Sequence, residues 1–378
     1  MNPPLSPSLL EHLSILPDPR MERTRRHKLI DIMALTICGV LAGADTWTEI
    51  ELFGQTKLEW FKRFLELPNG IPSHDTFGRV FARLDPKAFE AVFQRWVSSV
   101  QGLIQGVVAI DGKTLRGARA RGAGQGAIHL VSAWAVANHL VLGQLETEAK
   151  SNEIKAVPAL LKALDIRGCI VTLDALGCQK ALAGQIIEQG GDYILALKAN
   201  QGNLHHEVSA LFDIRQGNGF AGHPYSYHEQ VNKDHGRIEV RRHWLVEVPG
   251  WLASDTAPWA GLKTLAMVQR QRHIGDKVSL QTHYYLSSLP CQAQAFAEAV
   301  RAHWDIENGL HWMMDVVFNE DKSRVRKDHS AANLARVRRI AHTLLRQDTT
   351  TKAGLKAKRH KAGWDEDYLM NLLIGKKI

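Results

Sequence analysis

Val107-Val108-Ala109-Ile110-Asp111-Gly112 and Ile170-Val171-Thr172-Leu173-Asp174 are two apolar runs of strand length, and each ends on an aspartate. A carboxylate at the end of a buried strand is held by rigid backbone and points out at the edge of the sheet. A third acid, Glu307, lies far downstream in the helix-like segment His303-Trp304-Asp305-Ile306-Glu307-Asn308. Two carboxylates on adjacent strands, joined by one from a helix, could hold two hard cations around a phosphate. For either aspartate alone a turn-forming role competes, as in Asp111-Gly112. The two together, on strands expected to be neighbours, favour chemistry.

Working outward, residues 106–111 read as a strand. Residues 128–137 and 140–145 follow as two more, joined by Asn138-His139, which predicts a hairpin. A basic, glycine-rich loop over 116–126 separates the first strand from that hairpin. Residues 151–164 read as a helix, 168–174 as a strand, 178–189 as a helix ending at Gly190-Gly191, and 193–197 as a strand. Three antiparallel strands, a helix, a parallel strand, a helix and a further strand predict an α/β fold with an RNase H-like catalytic core. Residues 200 to about 290 break that rhythm. Alternation over 239–246, 264–268 and 282–289 predicts an inserted β-rich region. Upstream, Leu29, Ile32, Met33, Leu35, Thr36 and Val40 make a broad apolar helix face. Phe77, Val80, Phe81 and Leu84 repeat at helical spacing behind Ser73 as N-cap, as do Phe89, Val92, Phe93 and Trp96. The expected organisation is an N-terminal helical domain over 1–100, DNA-binding or simply structural. A catalytic domain over 101–345 and a basic C-terminal tail over 346–378 follow.

The chain has 378 residues, 45% of them hydrophobic, which is ample for a buried core. Its net charge of +8 favours a polyanionic partner. The charge is uneven: 13 Lys or Arg against two Asp between Lys322 and Lys361 give +11, so the remainder is near −3. Further basic clusters are Arg20, Arg23, Arg25, Arg26 and Lys28, and Lys113, Arg116, Arg119 and Arg121 directly after Asp111. Solvated helix faces are the plain reading of any one of them. The four cysteines show no CxxC spacing and read as reduced thiols of a cytoplasmic protein. Residues 29–43 are apolar but contain Asp31 and lack a cleavage site, so a buried helix is expected rather than a signal sequence. No run is long and clean enough to span a membrane.

Glu307 competes with Asp305, Asp315, Glu320 and Asp321. Helical spacing would put Glu307, His311 and Asp315 on one face. His303, Glu307 and His311 at four-residue steps also admit a zinc site, as a distant alternative. Asn200 and Gln201, behind Lys198 at a strand end, suit either DNA contact or support of the site. Arg324, Arg326 and Lys327 suit phosphate contacts. His235-Gly236-Arg237-Ile238-Glu239 reads as a turn.

Several long motifs, in order, resemble the DDE transposases of bacterial insertion sequences, in the branch of the H-repeat-associated proteins. They are Ala109-Ile110-Asp111-Gly112-Lys113-Thr114-Leu115-Arg116-Gly117, Lys150-Ser151-Asn152-Glu153-Ile154 and Thr172-Leu173-Asp174-Ala175-Leu176-Gly177-Cys178-Gln179. Gly191-Asp192-Tyr193, Lys198-Ala199-Asn200-Gln201 and His235-Gly236-Arg237-Ile238-Glu239 continue the series. His303-Trp304-Asp305-Ile306-Glu307-Asn308-Gly309-Leu310-His311-Trp312, running on to Glu320-Asp321, completes it. The resemblance covers nearly the whole chain. It implies an RNase H-like core with a β-rich insertion before the final catalytic helix, and a metal-binding triad of Asp111, Asp174 and Glu307. Related transposases carry a Tyr-Arg-Glu-Lys signature around the catalytic Glu. Here Val300, His303 and Met314 stand at the Tyr, Arg and Lys positions. Those DNA-contact roles do not transfer, although Arg301 and His311 could substitute.

The implied chemistry uses two Mg²⁺ ions, with Mn²⁺ as a substitute, to activate water and to stabilise the leaving 3′ oxygen. The freed 3′-OH then attacks target DNA. The implied partners are double-stranded DNA, as terminal inverted repeats and target, and a second copy of the chain on DNA. Lys113, Arg116, Arg119, Lys198, Asn200, Gln201, Arg301, His311, Arg324 and Arg326 are the candidate DNA contacts. A stand-alone nuclease and a decayed transposase that only binds DNA are the rival expectations.

Overall fold

The computed structural model describes residues 8–100, 104–118, 128–147, 153–234, 236–253 and 259–374. Its centre is one nine-stranded mixed sheet: β1 Gly106–Thr114, β2 His129–Ala135, β3 Leu140–Thr147, β4 Cys169–Leu173, β5 Asp192–Leu197, β6 Ser226–Asp234, β7 Arg237–Glu247, β8 Thr264–Ile274 and β9 Lys277–Ser287. The spatial order is β3-β2-β1-β4-β5-β9-β8-β7-β6. β1 runs antiparallel to β2 and parallel to β4, and β4 runs parallel to β5. The helices Glu153–Lys162 and Lys180–Glu188 supply the crossovers that parallel strands need.

The inserted region does not form a separate sheet. β9 returns antiparallel to β5 through Ile194↔Ser287 to Leu197↔Tyr284, so β6–β9 prolong the central sheet. The insertion also holds a helix, Gly202–Gly217, where periodicity predicted only β structure. Only Val208 and Phe212 of that helix are buried, which leaves its apolar pattern too thin to read.

The N-terminal helices are likewise continuous with the rest. Helix Trp47–Thr56 starts at a capping box built from Thr46 and Glu49. Helix His74–Arg83 starts after Ser73 as expected, although the Ser73 side chain makes no capping bond to the backbone. Helix Ser330–Gln347 is buried from Ser330 to Leu345 and packs on both the N-terminal helices and the sheet. Asn333 Nδ2 donates to the carbonyls of Phe81 and Leu84 at 2.9 and 2.8 Å. Arg336 Nε reaches Glu90 at 2.6 Å. One hydrophobic cluster runs from Leu9 to Leu373.

The expected C-terminal tail is instead two packed helices, Leu355–Trp364 and Glu366–Ile374. Leu355, Ala362, Tyr368, Leu369, Leu372 and Leu373 are buried, and that apolar area fixes the segment. The basic run is also less of a surface than its composition predicts. Five of its 13 Lys and Arg are buried: Arg336, Arg338, Arg339, Lys358 and Arg359. Arg339 meets Glu320 at 2.6 Å, and Lys358 Nζ donates to the Leu345 carbonyl at 3.0 Å. Arg359 Nε donates to the Val40 carbonyl at 3.0 Å, and its guanidinium lies 4.6 Å from the centre of the Phe318 ring. Partners of this kind are the condition for burying a cation.

Candidate active site

The parallel register of β1 and β4 ends at Ile110↔Leu173. Asp111 and Asp174 are the next residues on the two chains, so neighbouring strands deliver two carboxylates to one edge. Asp174 is the N-cap of the short turn Ala175–Gly177. Its Oδ1 accepts from the Leu176 and Gly177 N–H groups at 2.9 and 3.3 Å. A Cβ at Gly177 would stand 2.8 Å from that of Leu173, so this tight turn requires glycine. Asn200 Nδ2 donates to the Ala175 carbonyl at 2.6 Å, and Gln201 Nε2 to that of Cys178 at 2.8 Å. Both amides brace the turn behind Asp174.

The third acid arrives on a π-helix, Ile306–His311, where sequence periodicity predicts ordinary helix. A π turn frees backbone carbonyls from the usual ladder, and such turns recur at functional sites. Two are claimed from outside: Gly309 O lies 2.9 Å from His342 Nε2, and His311 O accepts from Lys113 Nζ at 3.1 Å. Trp134 Nε1 donates to Asp305 Oδ2 at 2.9 Å and ties down the start of the turn. A Cβ on Gly309 would lie 3.0 Å from Asp305 Oδ2 and 3.1 Å from the Trp134 ring. The result brings donor atoms of Asp111, Glu307 and His311 within 4.8 Å of one another. His311 Nδ1 stands 3.5 Å from Asp111 Oδ2 and 3.7 Å from Glu307 Oε2. Asp315, expected on that same face, instead pairs with Lys113. His303 lies outside the group, and its Nδ1 is 2.8 Å from Thr172 Oγ1, so the zinc spacing does not assemble.

Burial pushes the Asp111 carboxyl up to about 6. His311 and the Gly112 N–H oppose that shift, while Glu307 and Asp174 add to it. The neighbouring His311 imidazole holds Glu307 below its usual range. Between the ordinary aspartate value of 3.8 and about 6, the folded chain keeps a proton on Asp111 that the unfolded chain has lost. Folding stability from this group therefore falls as pH rises through that window. A divalent cation would displace the same proton. Titration of Mn²⁺ near pH 5.5 in buffers of different ionisation enthalpy should thus show proton release that fades above about pH 7. Equal heats in all buffers at the lower pH would contradict it.

Of the candidate DNA contacts, Lys198 and Arg301 are exposed and line one cavity of about 520 Å³ with Asp111, Asp174 and Glu307. Arg324 is exposed, and Arg116 is exposed with its Nε 3.6 Å from Asp321. Arg326 Nε donates to Gly117 O at 2.8 Å. Arg119 lies outside the described residues. Two further candidates are buried. Lys113 is only 9% exposed and serves His311 O, Asp315 and Glu320, because an ammonium that deep requires internal anions. His311 is 4% exposed and faces the carboxylates of Asp111 and Glu307.

The loop after β1 lies tightly on the segment that follows the acidic helix. A Cβ on Gly117 would come 2.2 Å from Ser323 O and 2.7 Å from Asp321 O. Gly117→Ala should force these loops apart and destabilise the fold by about 1–3 kcal/mol. Urea melts check it, and an unchanged midpoint would contradict the close approach.

Sequence reasoning missed a further group of residues lining this cavity. Arg237 and Arg241 on β7, and Arg270 and Arg272 on β8, line it with Glu239. The alternation of basic residues along each strand was the available signal, but nothing in the sequence told which face met the acids.

The residues 103–344 match the family model "Transposase DDE domain", and 10–97 match "DDE_Tnp_1-associated". The chain belongs to the DDE transposase family. Among its relatives is the "H repeat-associated putative transposase YhhI" of Escherichia coli (strain K12), 42% identical over 372 residues, covering 97% of this chain and 98% of that one. The "Putative transposase YncI" of Escherichia coli O157:H7 is 42% identical over 370 residues, covering 97% of this chain and 94% of the relative. A solved piggyBac transposase synaptic complex with hairpin DNA aligns with a TM-score of 0.44 and 10% identity, over 97% of this chain and 78% of that one. In this DDE transposase chain, no helix among the described residues is long and apolar enough to cross a membrane.

Proposed function

We propose that this DDE transposase is catalytically competent. On this reading it cuts phosphodiester bonds at the ends of an insertion element and joins the freed 3′-OH to target DNA. The observation that carries the reading is the gathering of Asp111, Glu307 and His311, with Asp174 one strand away in register, where Asp111, Asp174 and Glu307 line one cavity. The strand order β3-β2-β1-β4-β5 supports an RNase H-like core beneath it.

The donor set suits divalent cations. Three carboxylates supply hard oxygen ligands, and Asp174 gives only Oδ1 to its turn. Asp111, Asp174 and Glu307 would hold Mg²⁺ or Mn²⁺, with His311 set between two of them. When bound, two such ions activate water and neutralise charge on the leaving oxygen. The chain's own part is positional. The sheet fixes the two aspartates, and Lys113, His342 and Trp134 fix the π turn that presents Glu307. Lys198 and Arg301 supply positive charge where a DNA strand would enter. Each element end needs one copy of the protein, so a dimer on DNA follows.

A joining assay tests the proposal. Purified protein, Mn²⁺, a duplex carrying the DNA flanking the gene with a free 3′-OH, and a supercoiled target plasmid are mixed. Covalent joining of the duplex to plasmid is the expected product. Cleavage without joining would favour a stand-alone nuclease, and binding without either would favour a decayed transposase.

A further inference from the structure

One face of β7 and β8 gathers arginines around a single carboxylate. In register, Glu239 faces Arg272 and Arg241 faces Arg270, and Arg237 is two residues from Glu239 on the same strand. Residues two apart on a strand share a face, so four arginines surround one carboxylate. Glu239 is 3% exposed, and Arg241 reaches its Oε1 at 2.6 Å. Arg237, Arg270 and Arg272 stand 3.8, 3.9 and 4.0 Å from its oxygens. Arg241 and Arg270 are direct cross-strand neighbours of like charge, an arrangement that is unfavourable by itself.

One carboxylate cannot neutralise this group. The same cavity is also lined by Arg301 and Lys198. Six cations therefore line this cavity with Glu239, together with Asp111, Asp174 and Glu307. Burial and the neighbouring Arg301 and Arg270 make the charged form of Arg241 harder to hold, although Glu239 opposes this. An anion entering from solvent would relieve the repulsion. Guanidinium forks at this density match phosphate oxygens, which take bidentate contacts.

We propose that this arginine face of β7 and β8 is a phosphodiester-binding subsite, with Glu239 as the internal anchor that spaces its arginines. Its ligand is the backbone of the DNA strand adjoining the phosphate held at Asp111, Asp174 and Glu307. The proposal rests on the reading of the acidic end as the site of DNA cleavage. The insertion thus adds a binding wall to the catalytic sheet instead of a separate domain.

The test measures binding without catalysis. A fluorescent duplex carrying the flanking DNA is titrated by anisotropy in EDTA at several salt concentrations. Wild type is compared with Arg270→Gln/Arg272→Gln. Lys162→Gln/Arg167→Gln, on exposed residues beyond the other end of β4, is the charge-matched control. Thermal melts confirm that each variant folds. The subsite predicts at least a tenfold loss of affinity and a salt slope smaller by about two for the arginine pair only. Equal affinity and slope in both double variants would overturn it. If the loss appears while wild type never cuts DNA with Mn²⁺, the subsite stands and the catalytic reading fails. If wild type cuts and the arginine pair binds normally, only the subsite fails.

Discussion

Asp111→Asn and Asp174→Asn should each lower DNA cleavage by more than about 100-fold. That figure is the upper end of the loss seen when a partner that merely orients a metal ligand is removed. Binding of DNA in EDTA should stay within about threefold of wild type, because on the proposed reading phosphate contacts come from the basic residues around the cavity and not from the acids. Asp174→Asn is the more informative of the two. Asparagine retains an oxygen that can accept from Leu176 and Gly177, so the turn survives while one negative charge is lost. Glu307→Gln should behave alike, since Lys113 and His342 hold the π turn through backbone carbonyls and do not use the Glu307 side chain. Quantified plasmid nicking and anisotropy check both halves. Cleavage retained by Asp174→Asn would remove that residue from the chemistry.

Glu320→Ala should destabilise the protein by about 3–5 kcal/mol, the loss expected when one partner of a buried ion pair is deleted. Glu320 and Arg339 are both fully buried and 2.6 Å apart, with Lys113 at 3.6 Å. Without the carboxylate, two cations lie in the core with too little to neutralise them. Burial alone would push the Glu320 carboxyl up, but Arg339 and then Lys113 outweigh it and hold it at about 2. Its folded value thus lies below the unfolded 4.5. The stabilisation is present above about pH 4.5 and is lost as pH falls toward 2. The difference in urea midpoint between wild type and Glu320→Ala should therefore shrink in acid. A constant difference from pH 7 to pH 3 would contradict the assignment. Lys113 touches both this pair and the π turn, so activity in folded Glu320→Ala should fall as well.

Much of the fold was legible because its signals are local. Apolar runs closed by Asp111 and Asp174 mark central strands, and the glycines at 190 and 191 mark the turn into β5. The helix Gly202–Gly217 was not legible, because two buried residues do not make a stripe. The C-terminal helices were hidden by charge: Lys358 and Arg359 read as solvent-facing, yet carbonyls and Asp45 receive them inside. At the site, the three acids could be picked out by type and position, while the π turn could not. An ordinary helix would satisfy the same spacing, and only the distant partners Lys113, Trp134 and His342 show why the wider turn persists. Those contacts span from 33 to 198 positions in the chain, beyond any local pattern. The arginine wall was unreadable for a related reason. Strand alternation says which residues share a face, but not what that face meets.

The most direct measurement places the gene with its flanking DNA on a supercoiled plasmid, adds purified protein with Mg²⁺ or Mn²⁺, and maps every break. Wild type should cut at the two ends of the element and leave 3′-OH groups there, while Asp174→Asn should leave the plasmid intact. Breaks scattered without regard to the ends, or identical breaks with both proteins, would contradict the account.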